Sequence, residues 1–141
     1  MKSFFKKNKE IIMYLFFGVA TTAVNWVIYT ALLKLSVCGV TLANAVAWFG
    51  AVVFAFITNK LLVFESRDLA VKTVIKEGVS FFASRLVSGV FEIFLPSVLI
   101  FIGLDMALFG IDGFLAKAIV SVLVIVTNYV LSKLIVFKKR L

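Results

Sequence analysis

Histidine is absent from this chain, and cysteine and proline each occur once. Without histidine there can be neither a cysteine–histidine metal site nor a histidine proton relay, and Cys38 has no second cysteine with which to form a disulfide in the chain. Acidic residues are also few, seven against fifteen lysines and arginines, so the formal net charge is +8. We therefore expect no metal and no other cofactor.

Apolar residues are abundant, at 63% of the chain, compared with roughly 45–50% in soluble domains. A helix of about 20 apolar residues spans a bilayer, and four stretches are long enough: 11–33, 42–64, 79–102 and 115–137. The remainder is too short for a soluble catalytic domain, which needs on the order of 50 residues. We predict an all-α, polytopic membrane protein with four transmembrane helices, and not an enzyme.

The basic residues cluster at particular helix ends. They precede the first stretch, lie between the second and third, and close the chain: Lys2, Lys6, Lys7, Lys9, Arg67, Lys72, Lys76, Lys138, Lys139 and Arg140. By the positive-inside rule both termini are cytoplasmic and Cys38 is external. The first stretch is longer than the apolar part of a signal peptide and is expected to be retained. These cations suit anionic lipid headgroups, and nucleic-acid binding is a poor interpretation.

The two halves of the chain resemble each other. Residues 42–64 align without gaps on residues 115–137, sharing Leu-Ala-x-Ala at the start and Lys-Leu-x-Val-Phe at the end. The preceding helices match more faintly at a shift of about 67 instead of 73, placing Tyr14 on Phe81. Such repeats are typical of transporters. We predict one membrane domain, 1–141, built from two hairpins of the same orientation, about 11–64 and about 79–137. Because four helices enclose only a narrow cleft, we expect a homo-oligomer.

Each predicted helix carries one stripe of polar or small residues at helical spacing. The stripes contain the candidate substrate-binding residues Asn25, Trp48, Asn59, Arg85, Glu92 and Asn128. Asparagine, serine and small residues also serve helix packing alone, and that explanation stays open for Asn25 and Asn128. Trp48 and Tyr29 could stack on a sugar, although packing is the commoner role of such rings.

Arg85 and Glu92 stand out because charge inside hydrocarbon is costly. Even a lenient insertion scale assigns about 2.5–3.5 kcal/mol to one such side chain, so a function or an ion pair must offset it. The two residues share a face but are separated by about 10 Å along the axis, too far for a tight pair. Each is expected to meet other groups.

Lys60 and Lys133 are matched cations of the repeat, each shortly before the shared phenylalanine. One interpretation is that their long side chains extend to the cytoplasmic interface. The other is phosphate binding at the depth of the lipid headgroups. Lysine would supply a point charge there, and Arg85 would donate two parallel hydrogen bonds to one phosphate. The sequence leaves both interpretations open.

The order of these motifs resembles the GtrA-like family of small four-helix membrane proteins. The motifs are Tyr14-x-x-x-Gly18 with Thr22 and Asn25, Asn59-Lys60-x-x-Val63-Phe64, Phe81-x-x-x-Arg85, and Asn128-Tyr129-x-x-x-Lys133-x-x-Val136-Phe137. Family members often carry arginine where Lys60 and Lys133 stand, and tryptophan at Leu62 and Ile135. The resemblance implies flipping of polyprenyl-phosphate-linked sugars for surface polysaccharide or teichoic acid glycosylation.

Under this interpretation Arg85 with Lys60 or Lys133 holds the lipid phosphate, and Asn25, Glu92 and Asn128 bond sugar hydroxyls. No nucleotide-binding loop is visible in the sequence, so flipping would depend on a gradient or a coupled ion. Three alternatives remain: an accessory subunit that anchors a membrane glycosyltransferase, a small proton-coupled cation exporter acting through Glu92, and a membrane enzyme. Arg85 disfavours the exporter, because it repels cations.

Overall fold

The computed structural model describes residues 8–36, 39–104, 106–107 and 114–138, and four long helices account for most of them. Helix α1 is Lys9–Lys34, α2 is Val40–Thr58, α3 is Val71–Phe101 and α4 is Phe114–Leu131. No strand occurs within these described residues. All four are long and apolar enough to cross a membrane, which confirms the all-helical class and the four spans.

The third helix begins earlier than predicted, at Val71 instead of Val79. The distribution of basic residues placed Lys72 and Lys76 in the connection, yet no proline lies between Val71 and Val79 to interrupt a helix. These residues therefore belong to the first turns of α3 and not to the connection. The two even-numbered helices, by contrast, begin within two residues of their predicted starts.

Both even-numbered helices end in a π-helical turn that sequence patterns did not indicate. Asn59–Val63 continues α2 and Ser132–Val136 continues α4. The backbone N–H of Phe64 donates to the carbonyl of Asn59 at 2.9 Å, and that of Phe137 donates to Ser132 at 2.8 Å. These turns occupy matching positions of the two aligned segments. A π turn is rare and is often found at functional sites.

The chain divides into two compact units, Met1–Ala70 and Val71–Leu141, each containing one hairpin. In the first, a stripe of alanines along α2 is buried: Ala43, Ala47, Ala51 and Ala55. A side chain added at Gly50 would place its Cβ 2.6 Å from Cδ1 of Ile28, so α1 and α2 approach closely there. Small residues spaced four apart permit such helix packing in membranes.

The second unit is centred on an aromatic residue of α3. Phe81 and Ala116 are fully buried, and Val120 and Phe137 are nearly so. The ring of Phe81 lies 6.0 Å from that of Phe137, centroid to centroid. Ring packing therefore joins the first half of α3 to the residue that closes the second π turn.

Many large apolar side chains remain exposed, including Val19, Ile93 and Phe101. Only 6% of the most apolar window of α1, and the same share of α3, is buried. Soluble monomers rarely expose contiguous apolar surface on this scale. This surface suits contact with lipid tails or with other membrane helices.

Candidate functional site

Lys60 is a buried cation in the first π turn, with only 3% of its surface exposed. Its Nζ donates to Oγ of Ser66 at 3.1 Å, and the backbone N–H of Ser66 donates to the carbonyl of Lys60 at 2.8 Å. The ammonium group is thus held by the segment that follows α2. It does not extend freely into solvent, as one of the two interpretations of its sequence position expected.

Lys133 differs in exposure and contacts from Lys60, the lysine with which it aligns. It is exposed, its Nζ lies 3.2 Å from the hydroxyl of Tyr129, and the same ammonium lies 5.5 Å from the centre of the Tyr129 ring. The aligned position in the first unit is Phe56, which has no hydroxyl to offer Lys60. The two aligned lysines therefore have different surroundings, one buried and the other exposed.

Arg85 lies half-buried on α3. Its guanidinium carbon is 4.7 Å from the centre of the Phe81 ring, a cation–π contact. Because Phe81 is fully buried and also packs on Phe137, the ring is a fixed platform beneath the charge. Ser88 donates to the carbonyl of Arg85 at 3.1 Å. The permanent cation is thereby oriented by packing.

Glu92 is exposed on α3. Among the described residues it forms no ion pair with Arg85. A separate ion pair joins Lys9 to Glu65 at 3.4 Å. The sequence expectation that Arg85 and Glu92 are too far apart for a tight pair agrees with this. Glu92 therefore does not compensate the charge of Arg85 within one chain.

Two buried amides accompany the cations, one in each unit. Asn59 donates from Nδ2 to the carbonyl of Ala55 at 2.6 Å. Its Oδ1, and Oδ1 of Asn128, are buried and accept no hydrogen bond from the described part of the chain. A buried acceptor without a donor costs about 1–3 kcal/mol. Both oxygens are therefore candidates for bonding a hydroxyl-rich ligand.

Sequence patterns missed a buried carboxylate, Glu77. It lies on α3 one turn before Phe81 and two turns before Arg85, and only 9% of its surface is exposed. The spacing of 77, 81 and 85 continues the helix face of Arg85 by about two turns toward the start of α3. The sequence contains this helical spacing, but Glu77 was not considered because the helix was expected to begin at Val79.

A groove lies at the other end of the first hairpin, near the connection between α1 and α2. It has a volume of about 220 Å³ and is lined by Asn25, Trp26, Tyr29, Val40 and Asn44. Trp48, which the sequence nominated, does not line it. Trp26, which the sequence did not single out, does.

Four apolar helices with charged and amide side chains along their spans define a multi-pass membrane protein. Residues 13–137 match the family described as GtrA/DPMS, transmembrane domain, and the chain belongs to that family. No solved structure matches the chain.

Several curated bacterial proteins are similar over most of their length. A cell wall teichoic acid glycosylation protein, GtcA, of Listeria innocua is 37% identical over 93% of this chain and 86% of its own. The uncharacterized membrane protein YwcD of Bacillus subtilis is 36% identical over 90% of this chain and 95% of its own. GtcA of Listeria monocytogenes serovar 1/2a is 35% identical over 93% of this chain and 86% of its own.

Proposed function

We propose that this protein takes part in cell wall teichoic acid glycosylation by translocating a polyprenyl-phosphate-linked sugar across the cytoplasmic membrane. The substrate class follows from chemistry as well as from the relatives' names. Such a lipid joins an anion, a hydroxyl-rich head and an apolar tail. The chain offers cations, amides and a large apolar surface to match each part.

The proposal depends chiefly on the position of Arg85, half-buried on α3 and in contact with the Phe81 ring. A guanidinium within an apolar helix is expensive, and the cation–π contact with Phe81 orients it. Its planar donors match two oxygens of one phosphate. We assign Arg85 the role of phosphate ligand in the second unit.

Lys60 is proposed to serve the same kind of ligand in the first unit. Only 3% of the surface of Lys60 is exposed, and exclusion of water strengthens the attraction of its ammonium group for an anion. Asn59 beside it has a buried Oδ1 that could accept a bond from a sugar hydroxyl. In this scheme Lys133 contributes little, because it is exposed and contacts Tyr129.

An accessory role beside a membrane glycosyltransferase is the second candidate. The observation that favours it is the exposed apolar stretch of α3 around Phe91, Ile93 and Phe94, which suits packing against another membrane protein. A cation exporter fits less well, since Arg85 would repel its substrate.

A reconstitution assay separates these functions. Purified protein in liposomes is given a fluorescent polyprenyl-phosphate hexose in the inner leaflet, and its arrival in the outer leaflet is measured by quenching from outside. We expect protein-dependent transfer that Arg85→Ala abolishes and Arg67→Ala leaves intact, because Arg67 is an exposed arginine in the connection after α2. Transfer equal to that of empty liposomes would refute translocation and favour the accessory role.

A further inference from the structure

The groove near the connection between α1 and α2 has no assigned role. We propose that it binds a single sugar ring, and specifically the glycosyl head of the lipid substrate after that head leaves the phosphate-binding end. The identity of the natural ligand rests on the proposed function. The existence of a sugar site does not, because it follows from the groove's own residues.

The polar groups of the groove suit a neutral polyol. Asn25 and Asn44 each carry one carbonyl oxygen and one NH₂ group, so together they can both donate to and accept from adjacent hydroxyls. Neither side chain forms a hydrogen bond with the residues that the structure describes. None of the described residues that line the groove is charged, so a phosphate or an ammonium ion would find no ionic partner among them.

The aromatic groups suit the other face of a sugar. Trp26 and Tyr29 meet edge to face, with centroids 6.4 Å apart and planes at 85°. The axial C–H bonds of a sugar ring carry a small positive charge and pack on the negative face of an aromatic ring. A corner of two perpendicular rings beside two amides therefore presents complementary surfaces to a monosaccharide.

The size of the groove limits the ligand to one ring. Its volume of about 220 Å³ lies below the range of about 300–1,000 Å³ typical of sites for drug-sized molecules. It is also well above the share of a single water molecule, about 30 Å³. A lone ion would leave most of it empty, and an oligosaccharide would extend beyond it.

The groove and Lys60 lie at different ends of the first hairpin. Tyr14 of α1 packs against Phe64 at the end of the first π turn, and a rise of 1.5 Å per residue places Asn25 about 16 Å further along α1. A sugar linked directly to a phosphate cannot bridge that distance. The groove is therefore a second binding site, which the sugar occupies when the phosphate is not bound at Lys60.

Tryptophan fluorescence can test the site, since Trp26 and Trp48 are the chain's two tryptophans. In full-length Trp48→Phe protein in nanodiscs, Trp26 is the only reporter. Methyl glycosides of glucose, galactose, N-acetylglucosamine and rhamnose are titrated, with sorbitol as an open-chain control. We expect saturable change with millimolar affinity for at least one glycoside and none with sorbitol.

Two variants locate the binding. Asn25→Ala and Asn44→Ala should each weaken the affinity about fivefold, the loss expected for one or two neutral hydrogen bonds. Thr22→Ala should not, because Thr22 is a polar residue of α1 outside the groove that bonds its own helix at Gly18. Saturation-transfer NMR on the wild-type chain repeats the measurement without any change at Trp48.

The outcomes distinguish this proposal from the proposed function. Absence of saturable binding to every glycoside, equal binding of sorbitol, or unchanged affinity in both asparagine variants would overturn the sugar site, even if lipid transfer in liposomes is positive. Glycoside binding that both asparagine variants weaken would support the site, even if lipid transfer fails.

Discussion

The ring of Tyr14 packs against the ring of Phe64, with centroids 6.3 Å apart and planes inclined at 56°. The second unit contains the corresponding pair, Phe81 and Phe137, at 6.0 Å and 48°. In both cases a residue of the first helix of a hairpin meets the phenylalanine that follows a π turn. The contact fixes the end of the hairpin where Lys60 or Arg85 lies.

These ring pairs should be coupled in stability. Tyr14→Ala, Phe64→Ala and the double variant form one cycle, and Phe81→Ala, Phe137→Ala and their double form another. We expect a coupling energy of about 0.5–1.5 kcal/mol in each cycle, the value typical of aromatic pairs. Unfolding in mixed micelles provides the measurement, and strictly additive losses would show that the contacts contribute no pairwise energy.

Lys60 and Lys133 should differ sharply when each is replaced by methionine. Lys60→Met removes a buried cation together with its hydrogen bond to Ser66, so the free energy of unfolding should fall by about 1–3 kcal/mol, and teichoic acid glycosylation should be lost. Lys133→Met should change both little, because that side chain is exposed. Glycan analysis of cell walls and unfolding of the purified variants are the two readouts. Equal loss of glycosylation in both variants would contradict the distinction.

Arg85 should not be rescued by removing Glu92. Arg85→Ala is expected to abolish glycosylation, Arg85→Lys to retain part of it because the charge remains without the planar donors, and the Arg85→Ala/Glu92→Gln double variant to remain inactive. The physical reason is that the two residues form no ion pair within one chain. Membrane levels of each variant, measured by immunoblotting, serve as the control. Recovery in the double variant would make Arg85 a structural partner of Glu92.

Topology can be tested through the chain's single cysteine. Cys38 lies outside the described residues, and the distribution of basic residues predicts that it is external, with both termini inside. An impermeant maleimide should label it in intact cells. In a Cys38→Ser background, Leu69→Cys, exposed in the connection before α3, should be labelled only after the membrane is opened. The reverse pattern would invert the predicted orientation.

Self-association is the remaining prediction. The exposed apolar surface of α3 leads us to expect a homodimer or a larger assembly, and the distribution of basic residues predicts that all copies share one orientation. In the Cys38→Ser background, Ile93→Cys, exposed on α3, should form a disulfide-linked dimer under mild oxidation in native membranes, and Leu69→Cys should form less. If both cysteine variants yielded only monomer after oxidation, the prediction would be contradicted.

The sequence by itself determined the class, the spans and the family. Hydropathy is a property of composition along the chain, so four helices could be counted without coordinates, and the motifs around Tyr14, Asn59, Arg85 and Asn128 placed the chain among GtrA-like proteins. The start of α3 was missed because charged residues at a helix end resemble a loop in a hydropathy profile. The duplication and the orientation of the hairpins remain predictions.

Only the tertiary structure decided which polar residues are enclosed. Lys60 and Lys133 are identical in the aligned motifs, yet one is buried against Ser66 and the other is exposed beside Tyr129, because burial depends on neighbours that a periodic pattern does not specify. The same reason explains why Trp26 lines the groove and Trp48 does not. The π turns also required coordinates. A change of backbone hydrogen bonding from residue i−4 to residue i−5 over one turn does not alter the spacing of apolar residues in the sequence.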